Sequence, residues 1–408
     1  MTKELYYDSA YVSEFFAEVV SCKKAEGKGE EDYFEVILDR TAFFPEQGGQ
    51  GSDSGVLEFE TGASARVVHV SIDSEIRHIV DREIPVGTTV HGVIDWNHRF
   101  SNMQQHTGEH IFSGLVHSCF GYNNVGFHLS DSEVTMDYDG VLDADDIREL
   151  ELKANQAIWA NLEVLCEFPD ADKLSEIPYR SKKELEGDVR IVTIPGIDIC
   201  ACCAPHVFRT GEIGILKVVG LQNYKGGVRV NILCGLRALE YLQRDHEIVS
   251  ELSGMLTTSS DKVIASVRRA FDDNSSMKAE LSKAREALTE IEIQEILNMS
   301  STDSKKGVYL GCDGDIFMIR DDSCDANILR KLVNGLAERK AGYSGAFAGS
   351  ADKGYRFIVA SGTAGKDCKV LCDKLRNEFG AKGGGTPAMI QGSMNHSDIE
   401  AVVASLAE

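Results

Sequence analysis

Two short stretches, about a hundred residues apart, carry side chains that suit a metal ion. His106 and His110 are four positions apart in the first stretch, and Cys202 and His206 are four apart in the second. Residues at positions i and i+4 share one face of a helix, so a helix can present both histidines in one direction. If the stretches meet in the fold, three imidazoles and one thiolate would suit a tetrahedral Zn²⁺. The combination predicts a zinc site, although either pair alone is more often purely structural.

The thiolate in this set has two competitors. Cys200 and Cys203 lie within two positions of Cys202, and spacing alone does not rank the three thiols. Each could instead be a small buried core residue. The chain has 11 cysteines, an odd number without the spacing of a disulfide framework, which indicates a reducing compartment.

Length, composition and charge bound the class of protein. A chain of 408 residues predicts two or three domains, and 43% hydrophobic residues with only 7 prolines predict that it folds throughout. With no apolar leader and no apolar run of about 18 residues, we expect a soluble cytoplasmic protein. The net charge of −23 argues against a nucleic-acid partner unless basic patches are local, and residues 301–408, with 14 acidic and 14 basic side chains, are balanced. Solubility alone explains the acidity equally well.

The hydrophobic pattern predicts where the two stretches lie. Residues 4–100 contain short alternating β segments broken by Gly and Asp, typical of a small barrel or sandwich. Residues 103–119 have a helical period, which places both histidines of the first stretch on a helix. A hairpin is predicted over residues 125–138, and a further strand over residues 210–219.

The rest of the chain reads as a helical connection and a separate domain. Residues 236–300 are helical, with an apolar stripe that either packs on the chain itself or forms a coiled-coil-like hairpin or dimer contact. The stripe consists of Met277, Leu281, Ala284, Leu288 and Ile291. Residues 305–408 look like an α/β domain, in which residues 380–387 are a glycine-rich loop that could cradle a phosphate or a sugar. This loop is not a Walker loop, because no Gly-Lys-Ser/Thr follows at the required spacing.

Several motifs together resemble one family. His-x-x-x-His followed by Cys-x-x-x-His is similar to the signature of the editing domain of alanyl-tRNA synthetases and of the free-standing AlaX proteins. Other segments resemble the family's glycine-rich segment, the stretch after its Cys-x-x-x-His, and the end of its C-terminal domain. They lie at Phe44–Gln50, Thr210–Gly214, Gly383–Gly385 and Gln391–Gly392. The motifs follow the family's order across nearly the whole chain, in the manner of the long form of AlaX.

The resemblance implies a multidomain α+β fold. We expect an N-terminal β-barrel domain at residues 1–98 and an α+β editing domain with the zinc site at residues 99–240. A helical connector at residues 241–302 and a C-terminal α/β domain at residues 303–408, of the kind associated with DHH phosphoesterases, complete the expected order.

The resemblance also implies an activity, which is hydrolysis of the ester that joins serine or glycine to alanine-specific tRNA. Carried over by position, the zinc ligands are His106, His110, Cys202 and His206. The family often has Gly-Gly-Thr between its Cys and His, whereas this chain has Cys203-Ala204-Pro205. That departure keeps the ligand spacing but adds a thiol beside the metal. The expected partner is the mischarged tRNA, and a homodimer through the helical connector or the C-terminal domain is a further expectation.

Candidates for the remaining roles come from the helix and the hairpin. Glu109 and His128 are candidates for positioning or deprotonating a water, although either could be structural. Thr107, Ser130 or His128 could hydrogen-bond the serine hydroxyl, and Phe127 is added as a substrate contact. A site built around that hydroxyl would reject alanine, because its own polar groups would be left unpaired. Zinc could polarise the ester or activate water, or only orient the substrate, and the sequence leaves these alternatives open.

Two other functions compete with deacylation. In the first, the protein is a non-catalytic tRNA-binding module, since four protein ligands are the usual mark of structural zinc. In the second, it is a phosphoesterase centred on the C-terminal glycine loop, which is disfavoured because that domain lacks an Asp-His-His cluster. The sequence leaves open the choice between serine and glycine, the tRNA elements that are read, and the oligomeric state.

Overall fold

The computed structural model describes residues 2–25, 32–130, 133–181, 188–300 and 305–407. It contains two compact units, Met1–Leu252 and Ser253–Glu408. The first unit contains, in chain order, β1 (Lys3–Glu4), α1 (Leu5–Asp8), β2 (Glu14–Lys24), β3 (Phe34–Leu38), β4 (Arg40–Thr41), β5 (Gly55–Phe59), β6 (Ser64–Ile72), β7 (Ile76–Val80), β8 (Thr89–Ile94), α2 (Trp96–Phe120), β9 (Asn124–Leu129), β10 (Val134–Tyr138), α3 (Ala144–Trp159), β11 (Leu165–Glu167), α4 (Ala171–Glu176), β12 (Ile191–Ile194), β13 (Asp198–Ala201), β14 (Leu216–Tyr224), β15 (Gly227–Cys234) and the greater part of α5 (Gly235–Met255).

A closed six-stranded barrel forms the N-terminal part of the first unit. Its strands follow the order β2-β3-β7-β6-β5-β8, and β8 pairs again with β2. Along β2 the side chains alternate, so that Phe15, Ala17 and Val19 are buried in the barrel core. Closure leaves no unpaired edge strand, which stabilises a small sheet in water. The multidomain α+β class and the predicted barrel are confirmed, while the boundaries at residues 98, 240 and 302 stay a prediction.

Helix α2 is the central element of the first unit. The Asp95 side chain accepts a hydrogen bond from the backbone N–H of His98 at its start, and Gly121 ends it with a left-handed φ of 73°. Two glycines let neighbouring elements approach closely. A Cβ would lie 2.3 Å from Cys234 Sγ at Gly108, and 2.5 Å from the Ile197 carbonyl oxygen at Gly114. The helix is therefore buried over most of its length, and side chains in its middle turns face protein.

An antiparallel sheet with the order β14-β15-β10-β9 packs on α2. The predicted hairpin is confirmed, because β9 and β10 pair antiparallel, with one irregularity between Asp137 and Tyr138. The predicted strand over residues 210–219 is wrong in its first half. Thr210–Ile213 is a 3₁₀ turn, which ends at Gly214, with a φ of 80°, before β14 begins. A separate three-stranded sheet, β11-β12-β13, carries the segment that leads into the cysteine stretch.

A buried ion pair joins α2 to the loop that follows β4. Arg99 and Asp53 are fully buried, and Arg99 Nε lies 3.0 and 2.9 Å from the two Asp53 carboxylate oxygens. Asp53 also accepts a hydrogen bond from the Phe44 backbone N–H at 2.6 Å. The guanidinium donates further to the carbonyl oxygens of Ala10 and Ala42. Because removal of one partner would leave a buried charge unpaired, this network fixes the loop relative to the helix.

The second unit contains the end of α5, a long helix and an α/β layer. Its elements are α6 (Val263–Leu297), β16 (Val308–Leu310), β17 (Ile316–Arg320), α7 (Ala326–Ala337), β18 (Tyr343–Ser350), β19 (Gly354–Ser361), α8 (Cys368–Phe379), β20 (Lys382–Thr386), β21 (Met389–Met394) and α9 (Ile399–Ala407). The sheet order is β16-β17-β18-β19-β21-β20, and only the β17–β18 pair is parallel among these strands.

The structure of this unit differs from the predicted glycine loop and contains the predicted helical stripe. The predicted glycine loop at residues 380–387 is wrong for most of its length, because Lys382–Thr386 is an extended edge strand paired with β21. Glycines are permissive enough to be extended as well as turned, so composition did not decide between the two. The predicted helical stripe lies on α6, where Met277, Leu281 and Leu288 are more than half exposed. No helix in the described ranges is long and apolar enough to cross a membrane.

Candidate metal centre

The fold brings the two metal-type stretches together. His106 and His110 are one turn apart on α2, and the chain after β13 carries Cys202 and His206 to the same point. One ligand atom of each of the four residues lies within 4.8 Å of those of the others. The ring centroids are 5.5 Å apart for His106–His110, 5.0 Å for His106–His206 and 4.7 Å for His110–His206. The four side chains thus converge as the spacing predicted.

Cys202 meets two of the imidazoles through their Nε2 atoms. Its Sγ lies 3.5 Å from His106 Nε2 and 3.4 Å from His206 Nε2. His110 uses Nδ1 for Asp198, which leaves Nε2 as the nitrogen that can bind a metal. All three histidines are 2% exposed, whereas Cys202 is only partly buried.

Each imidazole Nδ1 has a hydrogen-bond acceptor on its outer side. His106 Nδ1 lies 2.8 Å from Gln50 Oε1, and His110 Nδ1 lies 2.9 Å from Asp198 Oδ2. An amide or carboxylate oxygen can only accept, so Nδ1 must carry the proton in both rings. A neutral imidazole protonated at Nδ1 has its lone pair on Nε2, the atom that faces the cluster.

The His206 imidazole is held by the hydroxyl of Thr107, which donates its own hydrogen bond elsewhere. Thr107 Oγ1 donates to the Met103 carbonyl oxygen at 2.8 Å, so it accepts from His206 Nδ1 at 3.0 Å. Thr107 is therefore buried on the outer side of the cluster and orients a predicted ligand.

The cluster fits zinc on the chemistry of its donors. Three Nε2 lone pairs and one thiol sulfur converge, and each imidazole is oriented by an outer hydrogen bond, as is usual for metal-ligating histidines. Without a metal, burial and the neighbouring His110 and His106 lower the pKa of His206 well below its usual value. The low pKa of His206 disfavours protonation of this ring and keeps its Nε2 lone pair available for an ion.

Asp198 is the most strongly held of the outer partners. Arg180 donates two hydrogen bonds to its carboxylate, with Nε 2.8 Å from Oδ1 and Nη2 2.9 Å from Oδ2. Burial alone would raise the pKa of Asp198, but its bonds to His110 and Arg180 lower that pKa overall. Burial alone would likewise lower the pKa of His110, and the bond to Asp198 with the nearby Cys200 and Glu109 raises it. The Arg180–Asp198–His110 chain therefore stabilises a carboxylate behind the ring.

The glycine-rich segment at Gln47–Gln50 forms part of the site. Gln47 and Gln50 hydrogen-bond across a tight turn in which Gly48 and Gly49 have left-handed φ values of 64° and 83°. A Cβ at Gly49 would lie 2.8 Å from the Phe127 carbonyl oxygen, and one at Gly48 would lie 3.1 Å from Cys203 Sγ. The turn therefore needs glycine both for its conformation and for its close approach to β9 and to the cysteine stretch.

Glu109 is buried beside the cluster. Its Oε1 accepts hydrogen bonds from Ser113 Oγ at 2.7 Å and from Asn124 Nδ2 at 2.6 Å. Its Oε2 lies 3.9 Å from His110 Nε2, on the side of the ring that faces the ligand cluster. Of the two carboxylates at this ring, Asp198 holds Nδ1 and Glu109 lies by Nε2.

The three cysteines of the second stretch differ in their surroundings. Cys202 approaches two imidazoles, whereas Cys200 is buried near His110 and Asp198. Burial, followed by the neighbouring Cys202, raises the pKa of Cys203 to about 12, and burial likewise raises the pKa of Cys200. Among the three thiols, Cys202 is grouped with all three imidazoles, whereas Cys200 is grouped with His110 and Asp198.

A cleft of about 510 Å³ opens beside the cluster. His106, His110 and Cys202 contribute to its wall, so the cluster is accessible to a small ligand from one side. The rest of the wall comes from the glycine turn, from β9 and from the segments around β11 to β13. These residues include Gly48, Gly49, Val125, Gly126, Phe127, Phe168, Arg190, Cys200 and Cys203.

Phe127 and His128 lie on opposite faces of β9. The Phe127 ring is 4.8 Å from the His106 ring and lines the cleft. Successive side chains of a strand alternate, and His128 is exposed, so it faces away from the cluster. Ser130 does not line the cleft, and its Oγ donates to the Glu133 carbonyl oxygen at 3.3 Å. The structure brings Phe127 and Glu109 to the site, and it does not bring His128 or Ser130 there.

Sequence reasoning missed the outer partners Gln50, Asp198 and Arg180. Gln50 lies in a segment whose family resemblance was noted, yet no pattern in the sequence pairs it with His106. For Asp198 the sequence offered one signal, an acidic residue four positions before Cys202. Its partner Arg180 is 18 residues away and is brought near only by pairing of the chain alongside β13.

Two family models match parts of the chain. The model described as "tRNA synthetases class II (A)" matches residues 1–98, and "Threonyl and Alanyl tRNA synthetase second additional domain" matches residues 189–231. The second match covers the segment that contains Cys202 and His206, and the first covers the barrel and the glycine turn.

The curated proteins similar to this chain include an alanyl-tRNA editing protein and alanine–tRNA ligases. The alanyl-tRNA editing protein AlaX-L of Pyrococcus horikoshii is 33% identical over 270 residues, which are 64% of each chain. The alanine–tRNA ligase of Methanoregula boonei is 29% identical over 407 residues, 96% of this chain and 41% of the ligase. That of Pyrococcus furiosus is 31% identical over 308 residues, 72% of this chain and 32% of the ligase. This chain thus spans less than half of these ligases, and the resemblance to AlaX and the alanyl-tRNA synthetases is confirmed.

Proposed function

We propose that this relative of AlaX-L and of the alanyl-tRNA synthetases is an editing hydrolase that removes serine or glycine from mischarged alanine tRNA. The observation that carries the proposal is the donor cluster itself. Three Nε2 atoms and the Cys202 sulfur converge at the wall of a cleft that a small ligand can enter. A relative whose name states alanyl-tRNA editing is similar over 64% of this chain, in support of that reaction.

His106, His110, Cys202 and His206 are the proposed zinc ligands. When bound there, zinc would polarise the ester carbonyl or make a bound water more acidic. Gln50, Asp198 and Thr107 keep the proton of each ring on Nδ1, so the ligands are oriented before the metal arrives.

Glu109 is the proposed acceptor of the proton from the attacking water. Its carboxylate is fixed through Oε1 by Ser113 and Asn124, and Oε2 lies on the Nε2 side of His110. A general base must be held within reach of the water that it deprotonates, and this carboxylate has little freedom to turn away. The proton would pass from water to Glu109 and then to the ribose oxygen that leaves the ester.

The cleft wall is the proposed source of amino-acid discrimination. Phe127 packs against His106 and forms an apolar wall beside the site where the ester would lie. The Thr107 hydroxyl is committed to Met103 and His206, and Ser130 and His128 lie elsewhere, so we do not assign the serine hydroxyl to them. A pocket that hydrogen-bonds this hydroxyl would hydrolyse seryl-tRNA far faster than alanyl-tRNA.

The proposed partner is alanine-specific tRNA, and the proposed location of the reaction is the cytoplasm.

A second copy of the chain is also a proposed partner, because the apolar stripe at Met277, Leu281 and Leu288 on α6 is more than half exposed. Sedimentation of the purified protein at several concentrations tests this: a dimer that Leu281→Glu converts to a monomer supports it, and a monomer at all concentrations contradicts it.

The experiment that tests the catalytic proposal separates chemistry from metal binding. Seryl-tRNA hydrolysis and zinc content are measured for Glu109→Gln, with the exposed Glu60→Gln as a control that makes the same charge change. We expect Glu109→Gln to lower kcat by roughly 10²- to 10⁴-fold with zinc content unchanged, and Glu60→Gln to behave as the wild type.

The same measurements decide between a catalytic and a structural zinc. If Glu109→Gln and Glu109→Ala hydrolyse seryl-tRNA at the wild-type rate, the role of Glu109 is wrong. If the zinc-loaded wild type hydrolyses no aminoacyl-tRNA and a chelator merely unfolds it, the protein is a binding module with structural zinc.

A further inference from the structure

Arg190 is a nearly buried cation in the wall of the cleft. It is 8% exposed and immediately precedes β12. Its Nη1 donates to the carbonyl oxygens of Cys202 at 3.0 Å and of Ala204 at 2.7 Å. The guanidinium is therefore anchored to the backbone of the residue whose thiol enters the metal cluster.

The positive charge of Arg190 has no carboxylate partner among the described residues. Within the described ranges the guanidinium donates through Nη1 alone, so Nε and Nη2 keep donors for another acceptor. Asp188 is the single carboxylate among the described cleft residues; it is exposed and forms no ion pair with Arg190. A guanidinium at this depth usually has an anionic partner, and here the space in front of it is the cleft.

Two aromatic rings stand beside this cation. The Arg190 guanidinium carbon lies 5.5 Å from the centroid of the Tyr7 ring, and the Phe168 ring is 5.2 Å from Tyr7 at 83°. Both rings line the cleft, and Phe168 is 49% exposed although it is a large apolar side chain. A cation beside partly exposed aromatic rings is the usual composition of a site for a single-stranded nucleotide.

We propose that Arg190, Tyr7 and Phe168 form a subsite for the 3′-terminal nucleotide of the aminoacylated tRNA. Arg190 binds the phosphate on the 5′ side of that nucleotide, and the aromatic rings contact its base. The proposal rests on the proposed function, since it places the esterified ribose between the metal cluster and this subsite. The phosphate is the closest anion to the ester along the substrate, which matches a cation anchored to the Cys202 backbone.

Two small esters test the phosphate contact directly. One is 3′-O-seryl adenosine, and the other is 3′-O-seryl adenosine 5′-(methyl phosphate), which adds only the phosphodiester. We expect the wild type to have a kcat/KM roughly 10- to 100-fold higher for the phosphorylated ester, the worth of a charge-assisted hydrogen bond. In Arg190→Gln this preference falls to about one, while the zinc content per chain is unchanged.

A purely structural role for Arg190 gives a different pattern. If Arg190 only braces the Cys202 loop, Arg190→Gln lowers kcat/KM for both esters by the same factor and retains the preference, which overturns the subsite. Equal hydrolysis of both esters by the wild type also overturns it and leaves the proposed function intact. Failure to hydrolyse both esters and seryl-tRNA as well overturns the proposed function itself.

Two further variants keep the test decisive if Arg190→Gln does not fold. Arg190→Lys preserves the charge but not the planar fork, so we expect it to reduce the preference without abolishing it; an unchanged or enhanced preference contradicts the contact. Phe168→Ala should raise KM for both esters by roughly 5- to 100-fold through loss of base stacking. The control Phe16→Ala, at an exposed barrel position, should leave KM unchanged, and equal effects of the two variants contradict the base contact.

Discussion

Two glycine-rich segments of this chain look alike in sequence but are used differently. Gln47–Gln50 is a tight turn whose glycines adopt left-handed φ values and touch Phe127 and Cys203. Lys382–Thr386 is an extended, exposed edge strand paired with β21. Glycine content alone therefore does not identify a ligand-binding loop.

The difference lies in the contacts that each segment makes. Gln50 is 1% exposed and its Oε1 accepts the Nδ1 hydrogen of His106, so the first segment is tied to the metal cluster. In the second segment, Gly383 instead accepts an exposed hydrogen bond from Arg376. If the comparison is right, changes around the first segment should damage the metal centre and its reaction, and a matched change in the second should not.

Cys202→Ala should have the largest effect. Loss of the thiolate removes one of four donors, so bound zinc should fall to background and seryl-tRNA hydrolysis by at least about 100-fold, beyond the usual cost of losing an outer partner. Metal analysis of the purified protein and a deacylation assay measure both, with the exposed Cys312→Ala as the control. Full zinc content in Cys202→Ala would show that Cys200 or Cys203 supplies the sulfur.

Asp198→Asn should have the next largest effect, because the charge behind His110 is lost and Arg180 is left without its carboxylate. We expect zinc affinity, measured by competition with a chromophoric chelator, to fall about 10- to 100-fold. The exposed Asp145→Asn is the control. An unchanged affinity would mean that the Arg180–Asp198 pair holds the sheet together without orienting the ligand.

Gly49→Ala should disturb the turn that carries Gln50. Alanine at a φ of 83° is strained, and its Cβ would meet the Phe127 carbonyl oxygen at 2.8 Å. We expect the free energy of unfolding to fall by about 1–3 kcal/mol, with a clear loss of hydrolysis. Denaturant unfolding and the deacylation assay provide the measurements, and wild-type behaviour in both would show that the turn is not constrained as described.

Gly384→Ala should have the smallest effect of the four. No atom outside the local backbone lies within 4 Å of a Cβ at this position, and the strand is extended. We expect unfolding free energy to stay within about 1 kcal/mol of the wild type, because alanine loses less backbone entropy than glycine. Hydrolysis of a minimal seryl ester should be unchanged, and a loss comparable to that of Gly49→Ala would remove the distinction between the segments.

The sequence predicted the features that depend on local periodicity. The histidines of α2 were found because a helical period places residues four apart on one face, and the barrel strands because their side chains alternate. The meeting of Cys202 with these histidines, 96 residues away from His106, was inferred from donor chemistry and a family order.

The features that were missed depend on tertiary approach. Gln50 and Arg180 reach the site because the glycine turn packs on β9 and because residue 180 pairs beside β13. His128 and Ser130 were proposed without knowledge of which face of β9 would be inward, and a shift of one residue reverses that choice. Periodicity gave no means of distinguishing the turned glycines from the extended ones.

The most direct test of the account is the hydrolysis of seryl-, glycyl- and alanyl-tRNA, all built on alanine-specific tRNA, by the zinc-loaded protein. We predict that the seryl or the glycyl ester is hydrolysed much faster than the alanyl ester, and that Cys202→Ala loses this activity. Equal hydrolysis of all three esters, or hydrolysis of none of them by the zinc-loaded wild type, would contradict the account.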